Sequence, residues 1–262
     1  MRNTLTVCAL VLCTLILSTP RSASAQGQVV EVGMRFWKVT PELVLADDGL
    51  TTLGLDAVDF VQEFGLESKS FRGFKASIGR SHKFRISRSS FDYDEEATIQ
   101  RSIVFLGQTF PINTSAEASV EWDIWTFGYE WDFVSRPGGF LGLVTDLRYN
   151  KVNASIDSPA LTSVAATDVT APIPTIGLIG RGYLGSHGSI TAEFSGLKLS
   201  RNNEDTQFEG SAYDFDIYGT IHLGRQLGVE VGYRSLDIHY LVDGDSGDLK
   251  MKGPYIGGTL RF

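Results

Sequence analysis

From Gln28 onward the chain repeats every two residues, over stretches that only strands accommodate. In "SAYDFDIYGTIHLG" (Ser211 to Gly224), Tyr213, Phe215, Ile217, Ile221 and Leu223 share one face, while Asp214, Asp216, Tyr218, Thr220 and His222 share the other. "WTFGYEWDF" sets Trp125, Phe127, Tyr129, Trp131 and Phe133 against Thr126, Gly128, Glu130 and Asp132. In "LGVEVGYRSLDIHYLVD" the apolar set Val229, Val231 and Tyr233 gives way, out of phase, to Leu236, Ile238, Tyr240 and Val242. That slip predicts a β-bulge near Arg234-Ser235. Alternation sustained this long argues strand, not helix.

The breaks between strands are of two kinds, and they alternate. Four are short and marked by Gly or Pro, at 79–82, 135–139, 185–188 and 224–228; five are longer or more polar, at 39–70, 97–116, 156–172, 203–210 and 243–248. Nine connections predict ten strands (eight is the alternative count), with both termini at the short-turn end. Short periplasmic turns opposite long extracellular loops are the pattern of a closed, antiparallel transmembrane β-barrel. A soluble sandwich or ligand-binding barrel is the competing reading, with its apolar face inside. The polar face here carries charges of both signs: Glu31, Arg35, Asp146, Arg148, Arg181, Glu193, Asp214, Asp216, Glu230 and Arg261. Facing lipid, such groups cost kilocalories each; in a lumen they pair. They are therefore assigned to the lumen.

The N-terminus predicts export. A weakly basic start precedes the 13-residue apolar run "LTVCALVLCTLIL", and Ala23-Ser24-Ala25 forms a small-x-small cleavage site before Gln26. The expectation is a cleaved signal peptide over 1–25 and a single barrel domain over 26–262. Removing the leader from the 262 residues leaves 237, takes away both cysteines, and moves the net charge from −8 to −10, since it carries Arg2 and Arg21 and no acid. A mature chain without cysteine has no disulfide, thiol catalysis or Cys-ligated metal. Its acidity argues against general nucleic-acid binding. No 18-residue apolar run follows the leader, so no membrane-crossing helix is expected.

The chain ends "YIGGTLRF", with Tyr255, Gly257, Leu260 and Phe262 at polar, glycine, hydrophobic and terminal aromatic positions. This resembles the C-terminal assembly signal of bacterial outer-membrane β-barrel proteins, the small OmpA- and OmpW-like barrels among them; Leu260 stands where an aromatic is commoner. The resemblance implies a Gram-negative outer-membrane location and delivery by the barrel-assembly machinery. On the alternation alone, Phe262, Leu260, Gly258 and Ile256 form a lipid-facing row, with Arg261, Thr259 and Gly257 in the lumen. The last strand is expected to pair with the first, whose Val30, Val32, Met34 and Phe36 face lipid. Closure then uses up both sheet edges.

Candidate chemistry is sparse. The stretch from Pro41 to Ser68 holds seven acids and no base, and Ala57, Phe60, Val61 and Phe64 fall on one side of a helix. It is read as a solvated loop, with a short amphipathic helix on the rim or folded into the mouth as the functional alternative. Asp237 and His239 project to one face near the outer end of the ninth strand. As a carboxylate–imidazole couple they are weak catalytic candidates, against the plainer reading of a solvated His at the lumen rim. His82 and His187 fall in short turns and His222 faces the lumen; no spacing suits a metal. Trp122, Trp125, Tyr129, Trp131, Tyr233 and Tyr240 are assigned to interfacial girdles.

No cofactor is implied. The expected partners are outer-membrane lipid, lipopolysaccharide and the assembly machinery. The expected role is structural, or permeation of small solutes through a narrow lumen; an outer-leaflet protease or lipid A-modifying enzyme, or an adhesin acting through its loops, is the alternative.

Overall fold

A computed structural model describes residues 29–46, 57–105, 108–159, 165–203, 206–242 and 245–262. The predicted leader, its Ala25–Gln26 junction and the middle of the acidic first loop lie outside the described residues. Among the described residues, thirteen strands and one short helix follow in order: β1 (Val30–Ala46), β2 (Val58–Asp59), α1 (Phe60–Phe64), β3 (Lys69–Gly79), β4 (His82–Thr98), β5 (Ile103–Phe105), β6 (Gln108–Phe110), β7 (Ser115–Arg136), β8 (Gly139–Asp157), β9 (Ala165–Leu184), β10 (Gly188–Asn203), β11 (Thr206–His222), β12 (Leu227–Val242) and β13 (Asp245–Arg261).

Ten of these form one antiparallel barrel, in the order β1-β3-β4-β7-β8-β9-β10-β11-β12-β13, and β13 pairs back onto β1. The closing register runs from Glu31↔Arg261 to Ala46↔Ser246. The short connections match the expected positions; at Gly79 (φ +133°) a Cβ would sit 1.9 Å from the His82 carbonyl oxygen, so only glycine makes that turn. The long connections are shorter than expected because the strands continue: β12 and β13 pair out to Val242↔Asp245.

The expected bulge at Arg234-Ser235 is absent. β12 pairs with β11 and with β13 in one unbroken register through those residues. What changes is the sequence, not the pleat. Below this height the outward residues are apolar, with Val231 60 % exposed; above it the inward ones are, with Leu236 fully buried. The same inversion recurs elsewhere: Met34 and Phe36 point out of β1 while Trp37, Val39, Leu43 and Leu45 point in, and Trp125 and Phe127 point out of β7 while Ile124, Trp122 and Val120 point in. A lower section with apolar skin and polar filling thus continues into an upper section built the other way round. Ten strands cross both.

Two ladders stop early. β3 pairs with β4 only up to Gly73↔Ser89, and β9 with β10 only up to Ile176↔Gly196. On β9 the break coincides with Pro172 and Pro174, which have no N–H to donate. Beside the first break, β2 pairs with Val44 and Leu45 of β1, and α1 follows it into the barrel mouth. The Asp59 carboxylate accepts from the Val61 and Gln62 amides, and Gly65 ends the turn in the left-handed conformation. The helical alternative for the first loop is therefore the observed one, with Phe60 and Phe64 buried in the mouth.

Candidate functional site

All ten lumen charges named from the sequence lie on the inner face. Strand tilt brings them together across the barrel, not merely between neighbours. Arg181 on β9 reaches Glu31 on β1, on the opposite wall, at 3.1 Å. Arg85 on β4 reaches Glu193 on β10 at 2.6 Å, and Arg35 on β1 reaches Asp216 on β11 at 2.5 Å. Lys75 donates to Glu230 at 2.9 Å, and Arg234 and Arg148 share Asp214 at 2.8 and 2.6 Å. Lys83 binds Glu130 and, at 2.8 Å, Asp132.

Lys75, Lys83, Arg85, Glu130, Asp132 and Arg234 join the network in addition to the ten assigned lumen charges, and each has inward parity on its strand. Glycines make room for the acids: a Cβ on Gly128 would lie 1.9 Å from Asp146 Oδ1, and one on Gly142 would lie 2.8 Å from Asp132 Oδ1. Desolvated charges are tolerated when each has a partner of opposite sign and further hydrogen bonds. Here the pairs also span the bore, so cations and anions interleave along it.

This network lines a cavity of about 210 Å³ that reaches the short-turn end, where Arg80, Ser81, Ser135 and Arg136 border it. Upward it stops beneath a solid apolar cap. Trp37, Phe71, Phe91, Tyr93 and Trp122 pack edge to face or tilted with centroids 5.1–5.5 Å apart. Into the same cluster pack Phe60 and Phe64 of α1, and Ile103, Phe105 and Phe110 of the β5–β6 hairpin. Arg101 ties the two inserted pieces, bonding Glu63 at 2.5 Å and the Ala57 carbonyl at 3.0 Å. At the boundary the Arg234 guanidinium lies 5.2 Å below the Trp37 ring, and Trp37 donates to the Gly253 carbonyl at 3.0 Å. Among the described residues these side chains fill the bore at the long-loop end.

Two girdle assignments need correction. Trp122, 1 % exposed, and the partly buried Tyr240 belong to the cap, because both lie above the height where the pattern inverts. Trp131 and Tyr233 do face outward.

Asp237 and His239 share a face, but it is the outer wall and not the lumen rim. His239 Nδ1 contacts Asp248 at 2.7 Å and Asp237 stands 3.9 Å from Lys250, so each is engaged with β13. The acids Asp92 and Asp94 also face outward, from β4, four strands away around the wall. His222 faces the lumen beside Arg261 at 3.1 Å, and His82 stacks on Trp131 near the short-turn end. Among the described residues no three His, Cys, Asp or Glu side chains are placed to hold a metal, and no helix is long and apolar enough to cross a membrane. Of the C-terminal residues, Tyr255 points inward and donates to Asp216 at 2.7 Å, and Gly257 admits the Met34 carbonyl, 2.6 Å from where a Cβ would be. Leu260 points outward, and the Phe262 carbonyl accepts from the Val29 amide at 2.7 Å.

No protein-family model matches the chain, and none of the curated proteins matches it in sequence. Solved structures do. The outer membrane protease OmpT from Escherichia coli superposes with a TM-score of 0.57 at 8 % identity, over 94 % of this chain and 100 % of that one. The translocator domain of the autotransporter NalP from Neisseria meningitidis gives 0.43 at 10 % identity (100 % and 96 % covered), and the Pseudomonas putida toluene transporter TodX gives 0.35 at 8 % (89 % and 90 %). At such identities the likeness to OmpT is one of fold. The chain folds as a closed ten-stranded antiparallel barrel of the outer-membrane type.

Proposed function

We propose that this chain is an outer-membrane protein of Gram-negative bacteria, with its short turns in the periplasm and its capped end outside, serving as a closed structural barrel and not as a pore. The apolar cap carries this reading. A conducting lumen needs a continuous wetted path, whereas here the bore is bridged by opposite charges and then filled by Trp37, Phe60, Phe91 and Trp122. Ten strands enclose a space only a little wider than side chains fill. The lipid-facing row of Met34, Phe36, Val231, Ile256 and Leu260 supports the membrane assignment, as does the charged filling behind it.

Two measurements test it. Folded protein in a planar bilayer gives no discrete conductance steps; reproducible steps from the intact chain refute a closed barrel. Both native cysteines lie in the leader, so single cysteines report orientation on a clean background. Ser90→Cys, above the lipid-facing row, is labelled by an impermeant maleimide in intact cells, and Ser186→Cys only after the outer membrane is opened. The reverse pattern would refute the orientation.

A further inference from the structure

On the outer wall, the first polar residue above the lipid-facing row is a cation on four consecutive strands: Lys252 on β13, Lys38 on β1, Arg72 on β3 and Arg88 on β4. Their registers place them at one height. Lys252 pairs with Thr40, so Lys38 lies two residues lower; Lys38 pairs with Ser70, so Arg72 lies two lower again. The apolar residues beneath, Phe36, Phe74 and Ile86, step in the same sense, as tilted strands require of points on a level ring.

We infer that this arc is a docking site for a phosphorylated glycolipid of the outer leaflet, the lipid A portion of lipopolysaccharide. Lys252 is bonded to Glu42, and Arg88 to Asp123 at 3.0 Å. Lys38 and Arg72 are exposed and have no carboxylate partner among the described residues. As diagonal neighbours on adjacent strands, their Cβ atoms stand about 7 Å apart, a span two long cationic side chains close around one phosphate. Directly below, Met34, Phe36 and Phe74 offer apolar wall to acyl chains, with Met34 52 % exposed. Above them, Thr40 and Ser68 hold hydroxyls 2.8 Å apart that suit a sugar. Apolar surface, charge and hydroxyls are therefore stacked, from below upward, in the order in which such a lipid presents acyl chain, phosphate and saccharide.

The site rests on the proposed orientation, but its binding test does not depend on the cell. Purified barrel in detergent is titrated with bis-phosphorylated lipid A and with its phosphate-free form, and affinities are read by native mass spectrometry. Each surface cation is worth about 1 kcal/mol toward an anionic headgroup. Lys38→Gln with Arg72→Gln therefore weakens binding of the phosphorylated lipid by about thirtyfold and hardly changes the phosphate-free form. Lys151→Gln with Lys198→Gln, on β8 and β10, leaves both unchanged. Heat-dependent gel mobility verifies that each variant is folded. Equal affinity for the two lipids, or wild-type affinity in the Lys38/Arg72 variant, overturns the site. A failed cysteine-labelling pattern with intact lipid A binding would instead fault the orientation alone.

Discussion

Arg148 shows how one residue closes a weak point in the wall. It sits on β8, buried, just below the height where β9 and β10 part. From there its guanidinium donates to Thr175 on β9 at 3.4 Å, to Ser195 on β10 at 2.8 Å and to Asp214 on β11 at 2.6 Å. Only a planar fork of five donors reaches three strands at once. Arg148→Met leaves Asp214 to Arg234 and strips two hydroxyls of their donor, at a cost of about 3 kcal/mol, measurable as a lower urea midpoint in lipid vesicles; Arg148→Lys recovers little of it. At the surface the scale is smaller. Glu42, above the lipid-facing row, is held below its ordinary value by the hydrogen bond from Lys252, helped by Lys250 at 3.7 Å. A carboxyl lowered on folding contributes stability above its unfolded pKa and loses it as pH falls through the folded one. The pair is exposed, so the loss is about 0.5 kcal/mol. Lys252→Gln raises the Glu42 titration midpoint in NMR toward its ordinary value; an unmoved midpoint would deny the pairing.

For a single strand, one slip in alternation has two physical causes. A bulge rotates the side chains, or the strand passes from one surrounding to another without rotating at all. "GYRSLDI" cannot distinguish them, which is why the break at Arg234-Ser235 reads as a bulge and why Trp122 and Tyr240 read as girdle residues. The distinguishing signal lies between strands: Phe36-Trp37 and Ile124-Trp125 slip in the same way, and bulges have no reason to recur on every strand at one height. Parity survived the ambiguity, which is why the ten lumen charges were legible while the cap was not. The packing of α1 and the β5–β6 hairpin into the mouth depends on contacts between distant segments that no local pattern announces. The inversion predicts opposite sensitivities along one face of β12. Val231→Arg, on the proposed lipid face, costs about 2–4 kcal/mol, whereas Asp237→Arg, six residues up the same face, costs less than about 1 kcal/mol even though it sets an arginine opposite Lys250. Refolding yield into vesicles of matched thickness reads both, and equal penalties would refute the change of surroundings between them.

In the proposed outer-membrane setting, the molecule as a whole is a lipid-clad shaft with a water-clad head, made from the same ten strands. The head holds Trp37, Phe91, Trp122 and the inserted Phe60 in one cluster, and its outer skin is charged. Neither half is stable in the other's surroundings, which gives assembly a direction. On that reading the upper halves of the strands cross as loose polar hairpins, because a condensed head with Glu42, Asp92, Glu121 and Asp237 on its skin cannot pass through hydrocarbon. The core forms only on the far side, after passage. The barrel is then fixed as a rivet is fixed, by a head formed once the shank is through the plate, and pulling it back out requires melting the head first.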